Sequence, residues 1–170
     1  VEPLQGEGGV YPADPAFLLA LRQACDEQGA LLIFDEVQCG LGRTGALWAY
    51  QSAEVTPDIM TLAKPLGGGL PIGAALMTQR VADAIVPGDH GSTFAANPVI
   101  CAVARAVLQR IADPAFLRDV QERDDYLGER LRALQERHPV VREVRVRSSV
   151  LEISKSPTTA TGWPSGPRRR

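Results

Sequence analysis

Lysine is scarce in this chain, two residues of 170 against sixteen arginines. One of the two stands in the uncharged run Thr61-Leu-Ala-Lys-Pro-Leu-Gly-Gly-Gly-Leu-Pro-Ile-Gly-Ala-Ala-Leu76. Held between an apolar stretch and a glycine-rich turn, the amine of Lys64 is expected to be desolvated, which lowers a lysine pKa and leaves it nucleophilic. Such an amine suits covalent chemistry with carbonyl groups. Read alone, the position also fits a strand-end lysine reaching out to solvent.

Upstream lies Ala30-Leu-Leu-Ile-Phe-Asp-Glu-Val37, an apolar run that reads as a buried parallel strand ending in two carboxylates. Ligands of open α/β sheets bind at that carboxyl edge. A buried aspartate facing a lysine-bound cofactor would pair with a protonated ring nitrogen and keep the ring electron-withdrawing. Asp35 is the candidate, with a turn cap after the strand as its other reading.

Four segments then make a pattern: Glu2-Pro-Leu-Gln-Gly-Glu-Gly-Gly9, Phe34-Asp-Glu-Val-Gln-Cys-Gly-Leu-Gly-Arg-Thr-Gly45, Leu62-Ala-Lys-Pro-Leu-Gly-Gly-Gly-Leu-Pro-Ile-Gly73 and Gly88-Asp-His-Gly-Ser-Thr-Phe-Ala-Ala-Asn-Pro98. In order and spacing they resemble the class III pyridoxal-phosphate (PLP) aminotransferases, most closely those that act on N-acetylornithine. The resemblance implies an α/β fold, part of the large cofactor domain of a fold-type I PLP transferase, with a mostly parallel sheet flanked by helices. By the same resemblance Lys64 carries the cofactor covalently, Asp35 pairs with its ring nitrogen, Val37 packs on a ring face and Gln38 lies near the ring hydroxyl. Thr93 matches a threonine that reaches the phosphate of the neighbouring subunit's cofactor. Glu2 matches a glutamate that pairs with a substrate-binding arginine.

The implied enzyme is a homodimer with shared sites. It moves an amino group from N-acetylornithine to 2-oxoglutarate, a step of arginine biosynthesis, with ornithine or 4-aminobutyrate as alternative donors or a catalytically incomplete fragment as the other reading. Individually, Val37 fits strand core equally well, and Thr93 fits a loop hydroxyl in a local turn. His90 has no visible partner and reads as a loop residue.

Two other motifs compete. Gly40-Leu-Gly-Arg-Thr-Gly45 satisfies the G-x-G-x-x-G dinucleotide pattern after a strand. Carboxylates at 35 and 36 would crowd a pyrophosphate, and no amphipathic helix starts at the third glycine, so the match is rejected. Leu31-Leu-Ile-Phe-Asp-Glu36 resembles the acidic strand of a phosphate-loop ATPase, but the chain has no G-x-x-x-x-G-K-[ST] cradle to go with it.

These residues need a scaffold. Asp14-Pro15 and Asp113-Pro114 read as N-caps followed by a first-turn proline, and Gly29 as the end of the first helix. Phe17, Leu18, Leu21, Ala24 and Cys25 form one apolar stripe. Ile100, Val103, Ala104, Val107, Leu108 and Ile111 form a second, and Phe116, Leu117, Val120, Leu127, Leu131 and Leu134 a third. Strands are expected near 30–36, 58–62 and 72–78.

A net charge of −2 gives no reason to expect nucleic acid or an anionic membrane as partner. Cys25, Cys39 and Cys101 show no pairing or zinc spacing, so neither a disulfide framework nor a metal site is expected, and a reducing cytoplasm is the default. No apolar run reaches membrane-spanning length. Val1 is not a methionine and Glu2 already lies inside a motif, so the chain is expected to begin within a longer protein. The organisation expected is a partial PLP-binding domain over 1–145 and a divergent tail over 146–170. The Pro/Gly/Thr-rich, basic end of that tail predicts disorder.

Overall fold

A computed structural model describes the backbone of residues 1–147 and 150–155 and the side chains of 1–146. Proline and an acid or amide open each long helix. Asp14 accepts from the Ala16 N–H at 2.8 Å and starts α1, Pro15–Gln28, which ends on Gly29 in the left-handed conformation. Asn97 caps α3, Pro98–Ile111, by accepting from Val99 and Ile100, and Asp113 caps α4, Pro114–Arg137. In each case the side-chain oxygen satisfies an N–H that has no partner within the helix, and proline fills a position where the missing N–H costs nothing.

The central sheet has the order β3-β4-β5, from Ile33–Asp35, Ile59–Leu62 and Ala74–Met77. β3 and β4 are parallel, with Asp35 opposite Thr61. β5 returns antiparallel, Thr61 opposite Ala75, because only the short connection over residues 63–73 separates it from β4, with no crossover helix. Val1 lies along the free side of β3: its N-terminal amine donates to Ile33 O at 2.9 Å and its carbonyl accepts from Asp35 N at 2.8 Å. A two-stranded ribbon, β1 (Leu4–Gln5) with β2 (Tyr11–Pro12), follows directly.

The core is divided. Leu18, Leu32, Phe34 and Val55 join α1 to the sheet; Leu41, Met60, Leu62, Leu66, Ala104 and Ile111 join the sheet to α3; Leu4, Val10, Cys39 and Ala49 hold the ribbon against the loop after β3. The predicted stripe of α1 is only partly used, since Leu18 is buried while Phe17 is half exposed.

Asp58 ties these pieces together. Nearly buried, it accepts from Leu32 N, Arg22 and Arg80, each at 2.8 Å. The Leu32 N–H above all, then the two guanidiniums, hold its carboxyl well below the usual carboxylate range, against the opposing effect of burial.

The boundary expected at 145 is not a structural break. β6, Val141–Arg147, runs through it and pairs antiparallel with β7, Val150–Lys155. The reason is local: Val144-Arg-Val-Arg147 and Leu151-Glu-Ile-Ser154 alternate apolar with polar residues, the strand period, and the register shifts between Val141 and Glu143, where two polar residues adjoin. The remainder of the expected tail, 156–170, lies outside the described residues.

Candidate functional site

Parallel pairing brings the ends of β3 and β4 out on one edge, and with them the segments after Asp35 and Leu62. Backbone alternation then separates the two acids that adjoin in sequence. Asp35 shares a face with Thr61 and is exposed, whereas Glu36 turns inward and is fully buried. This corrects the expectation of a buried Asp35 and of two carboxylates presented together at the edge, because successive residues of a strand face opposite sides.

One oxygen of Asp35 is engaged and the other is not. Oδ1 accepts from Val37 N at 2.9 Å and from Thr61 Oγ1 at 3.3 Å. The first contact is the turn cap that the sequence allowed; it also fixes the carboxylate's orientation. Oδ2 has no hydrogen-bond donor among the described residues and faces outward from the sheet.

Lys64 opens the short helical turn Lys64–Gly67 directly after β4. Its apolar neighbours Leu62 and Leu66 point into the core, while Lys64 itself is exposed and makes no hydrogen bond or ion pair among the described residues. The enclosing apolar surroundings predicted for it are therefore not supplied by these segments. Its backbone is strained, φ +30°, an unusual value for a residue with a side chain. Such strain concentrates where a side chain must be aimed for function.

The loop after β3 is anchored from below. Glu36 accepts from Ala49 N and Tyr50 N, both at 2.8 Å, so each carboxylate oxygen closes residues 36–50 into a ring of chain. Burial pushes its carboxyl up while those two N–H groups pull it down, with burial the larger effect. Gly40 belongs to the same anchor: a side chain there would meet Glu36 O at 2.7 Å and Oε2 at 2.8 Å. Burial also pushes the Cys39 thiol up to about 12, which makes it an inert packing group and not a nucleophile.

Gln38 and Glu2 join the edge from the N-terminal turn. Gln38 Oε1 accepts from Glu7 N at 3.2 Å, and Glu2, half-buried, accepts from Gly6 N at 3.4 Å. Because Val1 pairs alongside β3, Glu2 leaves the sheet at the same edge as Glu36 and Val37. Thr93 is different. It is exposed in the loop between α2, Gln79–Ala82, and α3, and has no hydrogen bond to the Asp35 and Lys64 group. His90 and Arg43 are exposed loop residues, and turns over residues 41–44 lead to no helix starting at Gly45, only to a short 3-10 turn over Ala49–Ala53, in keeping with the rejection of the dinucleotide motif.

Sequence reading missed Thr61, and it placed Glu36 at the sheet edge as a second carboxylate without its anchoring role. The alternation along β4, Ile-Met-Thr-Leu, carried the signal for Thr61, but its use required the register with β3.

The edge, with an unpaired lysine and a half-satisfied aspartate, has the order and spacing of a known family. The profile described as aminotransferase class III matches residues 1–161, nearly the whole chain and sixteen residues past the boundary expected from sequence. The chain belongs to the class III aminotransferase family. Acetylornithine aminotransferase from Alnus glutinosa, a mitochondrial enzyme, is 56% identical over 161 residues, 92% of this chain and 36% of that protein. Succinylornithine transaminase from Yersinia pseudotuberculosis is 51% identical, over 89% of this chain and 36% of its own length. The crystal structure of acetylornithine aminotransferase from Elizabethkingia anophelis superposes with a TM-score of 0.86 at 37% identity, covering 95% of this chain and 42% of that one. The chain thus spans a little over a third of the length of the curated relatives it matches. Class III aminotransferases depend on PLP, and their fold is the fold-type I α/β architecture.

Proposed function

We propose that the full-length protein is a PLP-dependent transaminase that takes the δ-amino group of N-acetylornithine and passes it to 2-oxoglutarate. The observation that supports this reading is found at the sheet edge, where among the described residues Asp35 keeps Oδ2 unengaged and the Lys64 amine has no partner. PLP fits both. A ring N–H needs one carboxylate oxygen that nothing else occupies, and a carbonyl carbon needs an amine free of ion pairs. When bound, the cofactor supplies an electron sink that lets the amine-bearing carbon of a substrate release its proton.

The chain's own residues do the rest. Lys64 would hold the cofactor through Nζ, and its free amine would take the proton from the amine-bearing carbon as general base. Asp35, its Oδ1 pinned by Val37 N and Thr61 Oγ1, presents Oδ2 as a fixed negative charge toward the ring nitrogen. Val37 would pack on a ring face and Gln38 would meet the ring hydroxyl. Glu2 faces the substrate side and pairs with an arginine from elsewhere in the longer protein. Thr93 would serve the cofactor of a second copy in a homodimer; among the described residues it makes no hydrogen bond to Asp35 or Lys64. Three free cysteines suit a reducing compartment, the cytoplasm, and no helix among the described residues is long and apolar enough to cross a membrane.

The test is turnover by the full-length protein with purified donors. N-acetylornithine with 2-oxoglutarate should give glutamate with ping-pong kinetics, and Lys64→Ala should abolish it. A faster rate with ornithine or 4-aminobutyrate would reassign the donor, and substantial activity in Lys64→Ala would refute the role of that residue.

A further inference from the structure

We infer that Gly6 is a positioning residue for Gln38, and that what requires glycine there is the space for the Gln38 amide and not the backbone conformation. Gly6 does not occupy the left-handed region, unlike Gly9 at φ +112°, so an L-residue fits its backbone. Space is another matter. The three atoms nearest to a Cβ built on Gly6 all belong to Gln38: it would overlap the amide oxygen and carbon and come within 3.0 Å of Nε2.

The arrangement decides which partner would move. The Gly6 carbonyl accepts from Gly9 N at 3.1 Å and Val10 N at 3.2 Å, and Gly6 N donates to Glu2, which together lock the turn. Val10 is buried against Leu4, Cys39 and Ala49, so the turn is anchored in a core cluster. The backbone of Gln38 is held as well, because Cys39, the next residue, is fully buried in that same cluster. Only the Gln38 side chain, with its amide at the end of rotatable bonds, is free to yield. A methyl group at position 6 therefore displaces the amide and breaks its hydrogen bond from Glu7 N, while leaving the fold in place. Gly6 also lies between Glu2 on the substrate side and Gln38 on the ring side, in contact with both.

This inference rests on the proposed PLP chemistry, through the contact of Gln38 with the ring hydroxyl. It is tested in the full-length protein loaded with PLP, by comparing Gly6→Ala, Gln38→Ala and the double variant. Gly6→Ala should shift the visible absorption maximum of bound PLP, or its pH midpoint, in the same direction as Gln38→Ala. It should also lower kcat, by up to about 10²-fold, with the donor KM nearly unchanged, the scale expected when a contact group is misplaced by an ångström. Without cofactor its thermal midpoint should match the wild type. In the Gln38→Ala background the glycine substitution should cost nothing further, less than about twofold, since the group it displaces is gone.

Losses that multiply in the double variant, or a Gly6→Ala spectrum identical to wild type, would overturn the inference. Should Gly6→Ala fail to fold, the double variant decides: recovery of folded protein supports the displaced-amide account, and continued unfolding overturns it. A wild type that takes up no PLP would instead defeat the functional reading, and this inference with it, a result distinct from a PLP-bound wild type that Gly6→Ala leaves unaltered.

Discussion

Asp35 and Glu36 are neighbours in sequence with opposite surroundings, and the difference is set by strand alternation and by where the backbone N–H groups lie. Glu36 spends both oxygens on Ala49 and Tyr50, which leaves it a structural anchor, whereas Asp35 keeps Oδ2 open. Asp35→Asn preserves the shape and the acceptor for Val37 and Thr61 but removes the charge. It should lower turnover on the order of 10²-fold or more, by analogy with other preorganised electrostatic partners, while PLP content stays close to wild type. Single-turnover absorbance with measured cofactor content checks this; wild-type turnover would reduce Asp35 to a turn cap. Lys64 and Asp35 stand out in the sequence because each breaks its context, a lone cation in an apolar run and an acid ending an apolar run, although the strand that run forms is exposed on one face. The exposure of Lys64 was not legible. Which face of a sheet is covered depends on layers that local composition does not report, and here Leu62 and Leu66 are drawn into the core beside it. Gly6 was hidden for a related reason, since the side chain that a Cβ there would meet, Gln38, is 32 positions away.

At the scale of elements, the helix starts at Asp14 and Asp113 were readable because an N-cap and a following proline act within three residues; Asn97 uses the same solution but was not read from sequence, where only the apolar stripe of its helix stood out. Asp58 was not readable. Its partners Leu32, Arg22 and Arg80 come from three separate segments, which only the tertiary fold brings together. Asp58→Asn should destabilise the protein by about 2–4 kcal/mol, since it leaves a buried N–H and the mostly buried Arg22 poorly matched. Arg80, largely exposed, adds little to that figure. The pH sign follows from the depressed folded pKa. The stabilisation is fully present above the unfolded value of about 4 and is lost as pH falls below it toward the folded value. Denaturant unfolding between neutral and acidic pH should therefore show a steeper acid loss in wild type than in Asp58→Asn; parallel pH profiles would show that Asp58 carries no such linkage.

For the whole molecule, the α/β class was legible from element order, but the continuation of a β-hairpin past Arg145 was not, because the apolar–polar period is broken at Arg142-Glu143 and at Ser154-Lys155, so the strand signal there is short. Phe94 is 86% exposed and Val99 68%, in the loop and helix start that flank Thr93. Apolar side chains so displayed fit a surface covered by a second copy. Mixing full-length Lys64→Ala with Thr93→Val should then restore part of the activity, because in the heterodimer both lesions fall in one site and the other is intact. Subunit exchange without recovery would count against the shared site. The most direct test of the account is to reduce the PLP-loaded full-length protein with borohydride and map the modified peptide by mass. The account predicts the cofactor mass on the peptide that contains Lys64, and on no other. Its appearance on a different lysine, or on none, would contradict the assignment from which every other role follows.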